Sequence, residues 1–305
     1  MAVNKTEKSI ALVNDKVEKQ KVRASLENVK NKIIGVIVPE LKHPFFAAVL
    51  DGIEDVAFQY SCAVIVGQSK EKLEREKQTI EKLVQNGIQG LLISVSEETK
   101  DAGHLNVVHD SGIPLVYFDR VLDDDKASRV TVDDYEGAFK ATEHLILSGY
   151  ERIAHLAGYQ YLSIGLHRYQ GYIDAMKEYD MQIYDEYVIT GGLSESYGID
   201  GVKKLLQLPT KPDAIFAVND PVAMGVLYQL RRAGLKISSD IGLIGFSDNP
   251  VASVIETPLT TIVQPRYEMG QMATRILIDY FLNPASDFLP TAKVLKTKLV
   301  IRQTT

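Results

Sequence analysis

Short apolar segments that alternate with amphipathic helical segments are the feature that most constrains the fold of this chain. The first segment, residues 33–38, reads Ile-Ile-Gly-Val-Ile-Val and is continuously apolar. Such a run is typical of a parallel strand that is covered on both faces. Helical segments of roughly 10–16 residues separate it from later runs, and this rhythm predicts doubly wound α/β units.

The rhythm occurs twice along the chain. Predicted strands lie at 33–38, 62–66, 90–94, 114–118, 130–132, 152–157, 186–190, 214–218 and 241–245. Predicted helices lie at 45–60, 71–86, 99–112, 135–148, 165–179, 195–207 and 221–233. A strand at 259–263, a helix at 266–282 and closing strands around 293–301 are too few for a third unit. We therefore expect this last part to cross back between the first two units.

The sequence thus predicts an α/β protein of two doubly wound, Rossmann-like subdomains joined by a hinge of several strands. The N-terminal subdomain is expected to comprise residues 32–133 plus 264–290. The C-terminal subdomain is expected to comprise residues 134–263 plus 291–305. Residues 1–31 are expected to form a separate helical segment.

Bulk composition narrows the class of protein. The 305 residues are 45% hydrophobic and 24% charged, as in ordinary soluble domains. The net charge of −6 gives no overall nucleic-acid signature. Residues 1–32 differ, because they carry eight basic and four acidic side chains. This basic arm is compatible both with phosphate contact and with a solvated charged helix.

The sequence also lacks features of an exported or membrane protein. Cys62 is the only cysteine, which excludes an intrachain disulfide and favours a reducing compartment. Cys62 begins a strand-like run, so we expect it to lie in the core. The first 25 residues contain no apolar stretch of signal-peptide length, and no later segment approaches the roughly 18 apolar residues of a membrane span. We expect a cytoplasmic protein without a membrane partner.

Catalytic motifs are absent from the sequence. It contains no dinucleotide-binding glycine motif, P-loop, zinc-protease helix or nucleophile elbow. The six histidines do not occur at metal-ligand spacing. The acidic runs 123–125 and 133–134 could hold a cation, although the first fits a solvated loop better. We therefore expect neither an enzyme nor a cofactor or metal site.

Polar and aromatic residues follow several predicted strands, at the sheet edge where open α/β sheets bind ligands. His43, Phe45 and Phe46 follow the first strand. Adjacent aromatic rings can offer a flat apolar face to a sugar ring or a base. Phe45 is the better ligand candidate of the two, whereas Phe46 also fits the core.

Further candidates follow the later strands. Asp119 can accept hydrogen bonds from two neighbouring hydroxyls, and Arg120 donates in a fixed fork; a local ion pair is the alternative. Arg168, near the start of a helix, could reach a cleft between the subdomains. Asn219 offers a donor and an acceptor to a polyol, whereas Asp220 suits a helix N-cap. Gln264 adds an amide at the crossover.

An ordered set of motifs along residues 32–305 resembles the effector-binding core of the lactose-repressor/galactose-repressor (LacI/GalR) family and, more distantly, periplasmic ribose-binding proteins. The motifs lie at 35–39, 43–46, 112–116, 119–120, 132–137, 144–145, 152–154, 168–172, 213–220, 245–248 and 258–261. The resemblance implies a periplasmic-binding-protein-like fold of type I, a homodimer, and a cleft that closes on a sugar or related metabolite. It implies ligand roles for Phe45, Phe46, Asp119, Arg120, Arg168, Asn219 and Gln264.

The chain departs from the family pattern at two places. Ser247 stands where the family usually has Asp, which removes a charged acceptor for ligand hydroxyls; Asp248 could replace it. At the N-terminus, Arg23, Ala24, Ser25 and Leu26 look like the hinge that enters the DNA minor groove in the family. Only residues 12–23 lie between Ala11, at the apparent start of the helix-turn-helix, and Ala24 of the hinge, which is too few for two further helices.

These features together predict a ligand-responsive transcriptional regulator, most simply a repressor, with a small-molecule effector. Operator DNA is a partner implied by the resemblance, and the short N-terminal segment leaves direct DNA contact by this chain open. The alternative is a solute-binding or sugar-sensing protein without DNA-binding activity.

Overall fold

Two six-stranded sheets, each flanked by helices, confirm the predicted pair of α/β subdomains. The computed structural model describes residues 29–283 and 288–305. The predictions for residues 1–28, including the hinge residues Arg23, Ala24, Ser25 and Leu26, lie outside the described residues. No helix in the described ranges is long and apolar enough to cross a membrane.

The strands are β1 (Ile33–Val38), β2 (Ala63–Gln68), β3 (Gly90–Ile93), β4 (Leu115–Phe118), β5 (Ser128–Val132), β6 (Ile153–Gly158), β7 (Val188–Thr190), β8 (Ala214–Ala217), β9 (Gly242–Ser247), β10 (Thr260–Val263), β11 (Ala292–Leu295) and β12 (Lys298–Val300). The α-helices are α1 (Pro44–Gln59), α2 (Leu73–Gln85), α3 (Asn106–Asp110), α4 (Asp134–Leu147), α5 (Ser163–Glu178), α6 (Glu195–Leu206), α7 (Asp220–Arg232) and α8 (Arg266–Leu282).

Each sheet belongs to one lobe. The sheet of the first lobe has the order β11-β5-β4-β3-β1-β2, and that of the second lobe has the order β12-β10-β9-β8-β6-β7. All the strand pairs are parallel except β10 with β12. Both sheets therefore present the carboxyl ends of their central strands along one edge, where ligands bind in open α/β folds.

The chain crosses between the lobes three times, from β5 to α4, from β10 to α8 and from β11 to β12. The last crossing differs from the sequence-based boundary, which assigned residues 291–305 to the second subdomain. β11 pairs with β5 of the first sheet along Ala292–Leu295, so the crossing follows Leu295. β11 is short and largely exposed, and its sequence carries no pattern that favours one sheet over the other.

Two local predictions are wrong. The helix predicted at 99–112 is reduced to a 3₁₀ turn at Gly103–Leu105 and the short α3. The buried Glu76 carboxylate accepts hydrogen bonds from Ser96 N at 2.6 Å and from Thr99 Oγ1 at 2.8 Å, which holds the preceding segment as a loop. Cys62 is half-buried rather than a core residue, because β2 is an edge strand with much of its surface exposed.

Helices α1 and α8 pack so closely that two glycines are required at their contact. A Cβ atom at Gly270 would overlap the carbonyl oxygen of Val49, and one at Gly52 would overlap the carbonyl oxygen of Tyr267. Backbone cannot move aside as a flexible side chain can. This contact fixes α8, which follows the second crossing, against the first lobe.

We expect Gly270→Ala to lower the free energy of unfolding by about 1–3 kcal/mol, the usual cost of forcing extra atoms into a packed contact. Urea unfolding followed by circular dichroism measures this change. Gly103→Ala is a matched control, since the atom nearest to its added methyl is the flexible Asp101 side chain. Equal stability of the two variants would contradict the prediction.

Candidate functional site

Side chains from both lobes meet between the carboxyl edges of the two sheets and enclose a cavity of about 30 Å³. This floor cavity is lined by His43, Phe45, Phe46, Asp119, Arg120, Ile164, Arg168, Asn219, Ser247 and Gln264. The sequence singles out nine of these ten residues, all but Ile164. Ile164 carries no polar group, so only its position on the first turn of α5 brings it to the cavity.

Aromatic residues form one wall of the floor cavity. His43 is the N-cap of α1, and its Nδ1 accepts a hydrogen bond from Phe45 N at 3.2 Å. The rings of Phe45 and Phe46 meet edge to face, with centroids 5.1 Å apart. Both rings are buried in the first lobe and also line the cavity. Burial and the nearby Arg120 lower the pKa of His43 to about 4, so the imidazole is neutral at pH 7.

Asp119 supplies an acceptor at the end of β4. Its backbone is left-handed, with φ of 61°, which turns the chain as it leaves the sheet. Ser94 Oγ, at 3.5 Å, is a distant donor to the Asp119 carboxylate, so most of its acceptor capacity remains available. Burial raises the pKa of Asp119 to about 6, against the opposing effect of Arg120. The group is therefore mostly ionised at pH 7.

Arg120 is held by a residue that the sequence analysis missed. Its Nη1 and Nη2 donate to the two Glu71 carboxylate oxygens at 2.8 and 3.0 Å, and Nη1 also lies 3.3 Å from the carbonyl oxygen of Val95. The Nε of Arg120 is buried and has no hydrogen-bond partner among the described residues. Lys70 and Glu71 both have left-handed backbones, and this turn places the Glu71 carboxylate over the guanidinium.

Arg168 forms the base of the floor cavity rather than a free arm in the cleft. Its Nε and Nη2 both contact Asp134 Oδ1, at 2.8 and 2.7 Å, and Nη1 donates to the Val218 carbonyl oxygen at 2.6 Å. The guanidinium also lies 3.7 Å from the ring centroid of Phe246. These contacts, all within the second lobe, fix its orientation in a buried setting where an unpaired charge would be costly.

Asn219, not Asp220, is the N-cap of α7. Its Oδ1 accepts from Val222 N at 2.9 Å, and its Nδ2 donates to the Leu193 carbonyl oxygen at 3.0 Å. Asp220 is fully buried and accepts from Asn249 N at 2.6 Å and from Thr261 Oγ1 at 2.7 Å. Asn and Asp are equally good caps, so the sequence could not distinguish the two positions. Asn219 still lines the floor cavity.

Ser247 and Asp248 differ in their surroundings. Ser247 ends β9, lines the floor cavity and has φ of 126°. Asp248 is not among the residues that line this cavity, because its Oδ1 accepts from Arg302 Nη2 at 2.7 Å. It therefore does not replace the carboxylate that the family usually has at position 247. Gln264 is buried, and its Nε2 has no partner among the described residues.

A second, wider cavity of about 770 Å³ lies above the first and shares His43, Arg120 and Asn219 with it. Its charged lining residues are four acids and four bases: Glu40, Glu71, Glu97, Glu195, Lys42, Lys70, Lys72 and Arg120. We call the two connected cavities the cleft. Of the two cavities, only the wide cavity is large enough to hold a small metabolite.

The lobes touch directly at one rim of the cleft. Tyr161, from the loop after β6, donates its hydroxyl hydrogen to the Glu97 carbonyl oxygen at 2.6 Å. Val121 N lies 3.3 Å from Ser163 Oγ at the start of α5. These contacts join loops of the first lobe to the second lobe without passing through the hinge.

The two acidic runs considered as cation sites have other partners. Asp124 Oδ2 accepts from the Tyr117 hydroxyl and contacts His109 Nε2, both at 3.0 Å. Asp133 is the N-cap of α4, where its Oδ1 accepts from Glu136 N at 3.0 Å. Both carboxylates thus hold local structure.

Comparison with known proteins places this arrangement in context. Residues 31–290 match the family described as "Periplasmic binding proteins and sugar binding domain of LacI family". Catabolite control protein A of Priestia megaterium is 30% identical over 260 residues, 85% of this chain and 78% of that protein. The HTH-type transcriptional repressor PurR of Actinobacillus pleuropneumoniae serotype 3 (strain JL03) is 28% identical over 282 residues, 92% of this chain and 83% of that protein.

Solved structures share the two-lobed fold. The transcription regulator CcpA of Lactococcus lactis has a TM-score of 0.83 at 25% identity, with 90% of this chain and 100% of that chain covered. A LacI family transcriptional regulator from Enterococcus faecium with bound ribose has a TM-score of 0.78 at 26% identity, with coverages of 90% and 98%. A complex of the transcriptional regulator CelR with cellobiose has a TM-score of 0.82 at 25% identity, with coverages of 91% and 86%.

Proposed function

The chain belongs to the LacI family of transcriptional regulators, and from that premise we propose that it is a repressor controlled by a sugar or related polyhydroxylated metabolite in its cleft. Its relatives are regulators rather than enzymes. The observation that carries the proposal is the convergence of nine candidate ligand residues from separate strands and helices on one floor cavity.

The polar groups of the floor cavity suit hydroxyls. Asp119 is an acceptor with spare capacity, and Arg120 Nε and Gln264 Nε2 are buried donors without partners among the described residues. A hydroxyl both donates and accepts, so a polyol can satisfy all three groups. Phe45 adds an apolar ring wall. The floor cavity itself has room only for a water-sized group, so the ligand extends into the wide cavity.

The proposed mechanism is a population shift between open and closed arrangements of the lobes. A ligand that contacts both lobes favours the closed state through its higher affinity for that state. In a dimer, this change would be passed to the DNA-contacting N-terminal part. Such a regulator works in the cytoplasm, where the DNA is.

Calorimetric titration of the full chain with monosaccharides and disaccharides tests the ligand proposal. Affinity is expected to rise between pH 5 and 7 and to level off above that, because only the ionised Asp119 carboxylate, with its pKa about 6, accepts from two hydroxyls. Asp119→Asn should weaken binding by roughly tenfold to a hundredfold, the range for a hydrogen bond to a charged group, and remove this pH dependence.

Asp248→Asn is the matched control for that substitution, since Asp248 pairs with Arg302 and does not line the floor cavity. It should leave ligand affinity and its pH dependence unchanged. An affinity for every bound sugar that does not respond to Asp119→Asn would exclude the proposed role of Asp119.

A homodimer is proposed with the exposed edge strand β2 as part of its contact. Ile65 and Val66 on this edge strand are 39% and 40% exposed, and nearby Phe58 at the end of α1 is 83% exposed. Unpaired edges with exposed apolar side chains are usually covered by a partner.

Phe58→Glu is expected to shift the dimer towards monomer by at least about tenfold in dissociation constant, because the interface would have to bury a carboxylate. Sedimentation velocity over a range of protein concentrations measures this change. Leu147→Glu is the control, an equally drastic change at a 69% exposed site on the second lobe. A purely monomeric wild-type protein would refute the dimer.

Operator DNA is the proposed macromolecular partner. Gel-shift titration on the region upstream of the protein's own gene, at low salt, should show retardation that changes when the bound sugar is added. Retardation should weaken as salt rises, since phosphate contacts release counterions. An absence of retardation at low salt would favour the alternative of a sugar sensor that does not bind DNA.

A further inference from the structure

The charges at the bottom of the cleft are already matched by neighbouring protein groups. Arg168 is paired with Asp134 at 2.7 Å, and both are buried. Arg120 is paired with both oxygens of Glu71. Asp119 is left as an acceptor whose nearest cation, Arg120 Nε, lies 4.0 Å away. With His43 neutral at pH 7, the floor cavity has no excess of positive charge.

The wide cavity adds no such excess. Its four lining bases are balanced by its four lining acids. Lys72 is held by Glu98 at 2.6 Å and Lys42 by Glu40 at 3.4 Å. Among the described lining cations only Lys70 forms no ion pair, and it is exposed at the edge of the wide cavity. A phosphate dianion entering the buried part of the cleft would therefore lose its hydration without finding an unmatched cation there, which is costly.

Arg120 is the cation best suited to a phosphate, because a guanidinium fork binds such oxygens in pairs. The fork is occupied by Glu71, so a phosphate could bind it only by displacing that carboxylate. A displaced Glu71 would stay close to other acids: its charge acts to raise the pKa of both Glu97 and Asp119. A neutral polyol avoids this conflict, since it needs only the free Nε of Arg120.

We propose that Glu71 determines specificity by occupying the Arg120 fork, so that the cleft selects neutral polyols and rejects their phosphate esters. This inference deepens the proposed function and rests on it. Glu71 acts through Arg120 and is a positioning residue for the ligand site.

The test compares matched neutral and phosphorylated ligands by calorimetry at pH 7.5: ribose with ribose 5-phosphate, and glucose with glucose 6-phosphate. The wild-type full chain should bind at least one neutral sugar at least about tenfold more tightly than its phosphate. Glu71→Gln removes the negative charge and one of the two acceptors that hold the fork of Arg120, so affinity for the phosphate should rise at least about tenfold while affinity for the neutral sugar changes less. Adding Arg120→Gln to Glu71→Gln should abolish that gain.

Glu256→Gln is the matched control, because Glu256 pairs with Arg231 at 2.8 Å on the surface and does not line the cleft. It should not change the preference. Glu71→Asp retains the charge and should continue to reject the phosphate, which separates the effect of charge from that of side-chain shape. Thermal unfolding of each variant shows whether it is folded.

The possible outcomes separate the two proposals. If the wild-type protein binds a phosphate as tightly as its neutral partner, or if folded Glu71→Gln keeps the wild-type preference, the role of Glu71 is overturned while sugar binding stands. If neither member of either pair nor any other sugar binds, both proposals are overturned. If Glu71→Gln does not fold, the wild-type protein decides the inference: a preference for the neutral sugar over its phosphate supports it, and equal affinities overturn it.

Discussion

The ion pair between Arg168 and Asp134 is the interaction on which the cleft depends. It joins α5 to the start of α4, immediately after the first crossing between the lobes, and the same guanidinium donates to the carbonyl oxygen of Val218 beyond the end of β8. A buried charge tolerates little displacement from its partner. Three elements of the second lobe are therefore held in register around a single side chain, and the floor cavity is built on it.

A second buried guanidinium, that of Arg120 in the first lobe, is likewise paired with a carboxylate. Glu71 holds Arg120 from a loop whose two successive left-handed residues have no glycine to relieve them. Strained backbone of this kind persists where the surroundings determine it. The cleft thus has one fixed guanidinium from each lobe, each with its own carboxylate, and Asp119 keeps most of its capacity to accept hydrogen bonds.

Much of this was predictable because it follows from local pattern. Continuous apolar runs predicted the central strands, and the positions after those strands supplied eight of the nine predicted lining residues of the floor cavity. The ninth, Arg168, was proposed from its place near the start of a predicted helix. What remained hidden depends on distant contacts: Glu71 is one charge among several in its segment, and its partner lies 49 residues away. The Asp248–Arg302 pair, 54 residues apart, is hidden in the same way.

The three side-by-side strand crossings limit how the lobes can move. Three separate connections oppose sliding or twisting of one lobe against the other. Rotation of the lobes about an axis through the hinge is therefore the easiest motion. In such a rotation, the displacement of an atom increases with its distance from the hinge axis. Gln264, within the second crossing, would hardly shift, whereas Tyr161, which contacts the first lobe at the rim, would move farther. A spectroscopic label beside Tyr161 would consequently report the opening of the two lobes, and one beside Gln264 would report only whether a ligand occupies the cleft.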